Sequence, residues 1–329
     1  IHMKFTFTVI LLLTAGSLLF AQPGPGDVFK EYVWHNETGD CGGALRVGGR
    51  LDYHLLEKGY NYIGEGLIKP AFDINLKDAL AAELVVEKML CHGETEGLRV
   101  IINQKHTVHI PEAENIPQPQ SAYAHHFNAV VPVDISTLLP GTGNTFSFEV
   151  DTAGHWWPQN LVYGMILRIY HKPSLIETTG KITSPIAGET LGLVNQIIVE
   201  TEKPEDVSRI DLIGYYKDAD LEGDGIYRQW HYGFHKGEIF NHIGTVSDAP
   251  FEFNWETEWI PDQDEKVQIM ARITQTDGYI YMTDAVKDLS LSRPGISVEL
   301  CEPYDQPEGW FTRKGEFQEG FNVSGNLEQ

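Results

Sequence analysis

The 329-residue chain carries 47 acidic against 24 basic side chains, a formal net charge of -23. So acidic a surface argues against nucleic acid and anionic membranes as partners, since both select basic patches. The length leaves room for about two domains, and the acidity suits a protein that stays soluble by repulsion or one that binds cations.

At the N-terminus, Met3-Lys4 followed by FTFTVILLLTAGSLLFA reads as a signal peptide: one positive charge, an apolar run, then small residues. Cleavage is expected after Ala21, and Ile1-His2 reads as a cloning remnant, so residues 1–21 stand apart from the folded protein. No later stretch approaches the ~20 apolar residues that span a bilayer. Export without a membrane span is the expectation, secreted or periplasmic.

Residues 29–40 gather Trp34, His35, Asn36, Glu37 and Asp40. This cluster either lines a site or is a strand end whose tryptophan is core and whose polar groups cap a turn. Asn36-Glu37-Thr38 and Asn322-Val323-Ser324 are glycosylation sequons. The CGGALRVGG stretch has no phosphate-loop spacing, and no helical pattern follows it. Of the three cysteines, Cys41 and Cys91 fall in the first domain and Cys301 in the tail. Either a Cys41–Cys91 disulfide or free buried thiols fits an exported chain.

AELVVEKML, at 82–90, reads as a strand from its valine pair and its neighbours. GLRVIINQKHTVHIPE reads as a hairpin turning at Asn103-Gln104-Lys105. His106 and His109, three apart on a strand, point to opposite faces and do not share a metal. The Pro- and Gln-rich stretch 113–127 is a long loop that ends in His125-His126.

Three segments then define residues 128–172. VVPVDISTLL is a strand running into a short turn. NTFSFEV alternates as a half-buried strand does. LVYGMILRIY is apolar throughout, as a strand covered on both faces is. The loop between the last two carries His155, Trp156, Trp157, Gln159 and Asn160. It is expected to meet the loop that ends at His126. A pyranose packs its C–H face on an indole while amide, carboxylate and imidazole groups bond its hydroxyls. Adjacent residues on an extended segment face opposite ways, so one tryptophan of the pair is expected in the core and one available.

The order of these pieces, an INQK hairpin, VPVDIS, PGTGNTFSFEV, a Trp-bearing loop and VYGMILRIY, resembles the galactose-binding-like jelly roll of secreted glycoside hydrolases. The resemblance covers residues 98–172 well and 28–97 loosely. It implies a β-sandwich of about eight strands over residues 22–173. After a linker at 173–182, ITSPIAGETLGLVNQIIVETE and the short β-rich segments to residue 292 resemble a bacterial immunoglobulin-like module, which implies a second sandwich over 181–293. Residues 294–329 read as a tail or the start of a further domain. The fold class is therefore all-β: a jelly-roll sandwich followed by an immunoglobulin-like sandwich.

Within the second module, Asp218, Asp220, Glu222 and Asp224 alternate beside glycines, as oxygen ligands of Ca²⁺ do. Glutamate at the fifth position and Gln229 at the twelfth depart from the EF-hand order, so a solvated acidic turn competes with a calcium site. His231 and His235 lack a third ligand at convincing spacing.

Nucleophile motifs are absent. The leading expectation is a non-catalytic carbohydrate-binding protein with Trp156, Trp157, Gln159, Asn160 and His126 at an oligo- or polysaccharide, flanked by Trp34 and Asn36. A polysaccharide-active enzyme, hydrolase or lyase, would draw its carboxylates from Glu37, Asp40 and Asp151. A structural or adhesive surface protein without a small ligand is the third reading.

Overall fold

A computed structural model describes residues 23–37, 43–47, 66–90, 97–112, 125–151, 160–219 and 226–293. The fold is all-β and built from antiparallel sandwiches. The first half contains β1 (Val28–His35), β2 (Leu45–Val47), β3 (Gly66–Ile68), β4 (Ala79–Leu90), β5 (Arg99–Ile102), β6 (His106–His109), β7 (His125–Val133), β8 (Phe146–Glu149) and β9 (Asn160–His171). The second contains β10 (Gly180–Ser184), β11 (Thr190–Leu191), β12 (Val194–Thr201), β13 (Val207–Lys217), β14 (Arg228–His231), β15 (Gly233–His235), β16 (Glu238–Phe240), β17 (Gly244–Val246), β18 (Phe251–Glu256), β19 (Val267–Gln275), β20 (Tyr279–Met282) and β21 (Val286–Leu291).

The apolar run LVYGMILRIY becomes the centre of the first half. β9 is buried along its length, with only Tyr170 half-buried. It lies between β4 and β1 in the order β7-β4-β9-β1, and β2 also pairs with it. The facing sheet runs β3-β8-β5-β6. Its strands β5 and β8 alternate buried and half-buried residues, as the period of two in their sequences requires. Leu84, Val86, Leu167 and Ile169 from one sheet meet Val100, Ile102, Phe146 and Phe148 from the other in the core. Each such side chain stabilises the sandwich by roughly 1.5–3 kcal/mol.

The expected hairpin turns where the sequence placed it. Asn103 and Gln104 both have positive φ, 52° and 58°, the geometry of a type I′ turn. Asn103 also donates from Nδ2 to the Thr137 carbonyl at 2.8 Å and accepts from the Thr145 amide at 2.9 Å. These bonds close this end of the first sandwich.

In the second half β10-β12-β18 packs against the sheet holding β13 and β19, around Ile197, Leu212, Trp255 and Ile269. The boundary expected at 173–182 is bridged by a sheet. β1 pairs with β9 on one side and, through Val28–Lys30, with β20 on the other. A 12-stranded sheet therefore runs through both halves. Inside the expected linker, Thr178 is fully buried.

One face of that sheet is covered by a segment from the second half. Tyr232 and Phe234 pack with Phe29, Val85, Ile166 and Met270. The hairpin β15–β16 docks on the first half, where Asn128 donates to the Phe234 carbonyl at 3.0 Å and accepts from its amide at 2.7 Å. Beneath it lies a ladder of buried charges. Arg168 bonds Glu83 and holds Glu31 at 2.7 Å, and Arg272 holds the other Glu31 oxygen at 2.8 Å. Burial raises the Glu31 carboxyl, but Arg272 and Arg168 together outweigh it and hold it below the usual glutamate range.

Candidate functional site

Strand register gathers one set of termini at a single pole of the first sandwich. Leu90 lies opposite both His125 and Asn160, and Asn160 opposite Val47. Arg99 lies opposite His109 and Glu149, and Gly66 opposite Phe148. His35 at the end of β1 lies opposite Gly164. The stretches carrying His126 and Asn160 thus enter the sheet on the two strands that flank β4.

Of the residues singled out from sequence, Trp156, Trp157 and Gln159 lie outside the described residues. His126 stands in β7 opposite Met89; its side chain also lies outside them. Trp34 is half-buried and stacks on Phe148, with centroids 6.3 Å apart at 28°. Asn36 donates from Nδ2 to the Gly43 carbonyl at 2.9 Å, so its amide clips the turn between β1 and β2. Asn160 was expected in the loop, but it is the first residue of β9 and wholly buried. Pairing with both Leu90 and Val47 draws it into the sheet. Neither its Oδ1 nor its Nδ2 has a hydrogen-bond partner among the described residues.

The sequence did not single out Lys88 or Glu112. Val162 and Val86 face the sandwich core. Asn160 is two residues from Val162, and Lys88 is two from Val86 and opposite Val162. Lys88 and Asn160 therefore share the inner face as diagonal neighbours on adjacent strands. The Lys88 side chain is 1% exposed and its Nζ bonds Glu112 Oε2 at 2.5 Å, while Glu112 is 40% exposed. Burial lowers the Lys88 ammonium below the usual lysine range, against the opposing pull of Glu112. The signal was present in AELVVEKML: charges within a strand covered on both faces must be paired.

On the outer face of the same sheet Glu87 accepts from the Lys236 amide at 2.7 Å and contacts His235 Nδ1 at 2.5 Å. His235 also lies 5.6 Å from the Tyr163 ring. The hairpin β15–β16 thus reaches this pole too. The carboxylates considered for hydrolysis are separately engaged: Asp151 bonds Arg99, which also holds Glu149 at 3.0 Å, and Glu37 lies 3.7 Å from His35. Asp40 lies outside the described residues.

Elsewhere, Asp218 accepts from the Ala219 amide at 2.8 Å, while Asp220, Glu222 and Asp224 lie outside the described residues. His231 is buried, with Nε2 2.8 Å from the Tyr216 carbonyl. Cys41, Cys91 and Cys301 are likewise not described. No helix among the described residues is long and apolar enough to cross a membrane.

No family model matches the chain, and no curated protein matches it. Among solved structures it is similar to fibronectin(III)-like modules of CbhA from Clostridium thermocellum, at 18% identity and a TM-score of 0.22, over 35% of this chain and 98% of that one. A DUF4785 family protein from Legionella pneumophila aligns at 11% identity and a TM-score of 0.27, over 83% and 67%. The glycoside hydrolase domain of Endo-D from Streptococcus pneumoniae aligns at 12% identity and a TM-score of 0.24, over 67% of this chain and 30% of that one. Likenesses this slight say nothing of function.

Proposed function

We propose that the chain is an exported, non-catalytic carbohydrate-binding protein, with a galactose-binding-like jelly roll in its first half and the loop pole of that half as its binding surface. The observation that carries this reading is Trp34, a half-buried indole at the loop pole, the kind of ring on which the C–H face of a pyranose packs. Trp156, Trp157, Gln159 and His126 are proposed as the remaining contacts, with Asn36 holding the neighbouring turn. Ca²⁺ at Asp218, Asp220, Glu222 and Asp224 is a separate proposal for the second half, as a clamp on its acidic turn.

A glycan array read together with reducing-sugar release tests the main reading. Binding without release, lost in Trp34→Ala while the circular dichroism spectrum is kept, is the expected result. Release that disappears in Glu37→Gln or Asp40→Asn would replace the binding protein with an enzyme. An unchanged melting temperature on chelation would remove the calcium clamp.

A further inference from the structure

We propose that Trp259, at the end of the second half, is the docking point for a segment of this same chain: the stretch Trp310-Phe311-Thr312-Arg313-Lys314 within residues 294–329. The proposal stands apart from the carbohydrate reading and concerns the opposite end of the molecule.

Trp259 is 84% exposed, yet it does not sit on a frayed tip. It belongs to the turn between β18 and β19, where Thr257 and Ile260 on either side of it are buried. The Thr257 amide donates to the Leu193 carbonyl at 2.9 Å and its hydroxyl to the Gly192 carbonyl at 2.7 Å. The Ile260 amide donates back to the Thr257 carbonyl at 3.1 Å. Further along, Gln263 accepts from the Lys217 amide at 2.8 Å and donates to the Pro261 carbonyl at 3.0 Å. An ordered turn therefore presents the indole outward in one place. Val194, 61% exposed, lies opposite Glu256 at the base of the same turn. A tryptophan held out in water on a fixed support, with a second apolar side chain near its base, has the form of a contact anchor.

Position, charge and concentration name the occupant. Arg293, the last of the described residues, bonds the Thr257 carbonyl and holds Asp262 Oδ1 at 2.5 Å. Its guanidinium thus clasps the turn on both sides of Trp259, and residue 294 starts within one arginine side chain of it. Glu256, Glu258, Asp264 and Glu265 flank the indole in the chain and are exposed, while Asp262 is answered by Arg293. In residues 294–329 the only cations are Arg313 and Lys314, and they stand just after the aromatic pair Trp310-Phe311. Rings with cations beside them complement an indole flanked by carboxylates. A segment tethered this close meets the turn at an effective concentration on the order of millimolar. A contact too weak to hold a second copy at micromolar protein is then closed within one chain.

Hydrogen exchange read by mass spectrometry on the full chain tests the proposal. Amides of residues 308–316 are expected to exchange at least tenfold more slowly than in an unstructured peptide of the same sequence. Trp259→Ala, at a position exposed enough to leave the sandwich intact, is expected to abolish that protection while β12 and β18 exchange as before. Arg313→Glu with Lys314→Glu, outside both sandwiches, is expected to reduce it threefold or more. Residues 308–316 exchanging freely in the native chain, or protection that neither variant reduces, overturns the proposal. Protection of residues 192–194 and 256–260 that appears only as protein concentration rises, with 308–316 open throughout, overturns it in favour of a second copy on Trp259.

Discussion

Arg168 is the residue on which the buried charges depend. It is 1% exposed and serves Glu83 and Glu31 together. A neutral residue in its place leaves two carboxylates inside the protein with one guanidinium, Arg272, near enough to answer them. Arg168→Met is expected to cost about 3–5 kcal/mol in urea unfolding. Removing one of the stranded acids as well, in Arg168→Met with Glu83→Leu, is expected to recover much of that. A double variant no better than the single would show that packing, and not charge, is what Arg168 provides. The same chemistry sets the response to acid. Burial lowers the folded-state pKa of His171, and its Nε2 has no partner among the described residues; burial likewise lowers His242. The unfolded chain then binds these protons more readily, so stability rises with pH through the window and falls on acidification from about 6.5 downward. Glu31 acts lower: its folded-state pKa is depressed, so its contribution is complete above the ordinary glutamate range and is lost as pH falls through the depressed value. His171→Phe keeps an aromatic ring beside Tyr279, against which the imidazole packs edge-on at 5.2 Å. It is expected to flatten the loss of stability between pH 7 and pH 5, and an unchanged slope would assign that loss to other groups.

The hairpin β15–β16 shows what was legible among the elements and what was not. β4, β7, β8 and β9 were readable because alternation and apolar runs are local signals, and the β5–β6 turn because Asn103 tolerates a positive φ. Residues 226–240 gave no comparable signal. The turn at Lys236-Gly237 has φ of 50° and 84°, a type I′ geometry in which lysine stands where Asn or Asp is usual. What holds the hairpin is distant in sequence: Asn128 at its centre and Glu87 at its tip. The candidate site divides in the same way. Only the strand ends can be compared: His126 and Asn160 enter on β7 and β9 beside β4, while the loop residues expected to meet between them lie outside the described residues. That Lys88 needs a partner was legible in AELVVEKML, but which partner was not, because Glu112 lies beyond β6 and 24 residues away in sequence. The hairpin also makes its own prediction. Asn128→Ala removes two hydrogen bonds to Phe234 and leaves a buried amide and carbonyl unanswered, at about 1–3 kcal/mol. Gly237→Ala adds a Cβ at positive φ, 2.4 Å from Val33 Cγ1, and is expected to cost more than ~1 kcal/mol. Raised amide exchange confined to residues 226–240 in both variants would show the hairpin lifting as a unit. Exchange spread over both halves would show that it does not open separately from them.

At the scale of the molecule, β1 decides how the two halves behave. Read as a linker and two modules, the sequence describes bodies that unfold separately. The pairing of β1 with both β9 and β20, the shared cluster of Phe29, Ile166, Met270 and Tyr232, and the Glu31 bridge between Arg168 and Arg272 describe one body instead. Opening either half would expose apolar surface and charges that the other has buried. The direction of β1 also orients the poles. It runs antiparallel to β20, which runs antiparallel to β19, so the loop pole at His35 points away from the end of the second half at Val267. That end carries Trp259, 84% exposed. Strand ends held at one extremity by a continuous sheet keep a fixed aim, which two hinged modules would not. The full chain is therefore expected to melt in a single calorimetric transition whose van't Hoff and calorimetric enthalpies agree. Phe29→Pro, which removes an amide from β1 where it pairs with both β9 and β20, is expected to lower the melting of both halves together. Two resolved transitions in the native chain, or a Phe29→Pro effect confined to one half, would mean that the shared strand joins the sandwiches without coupling them.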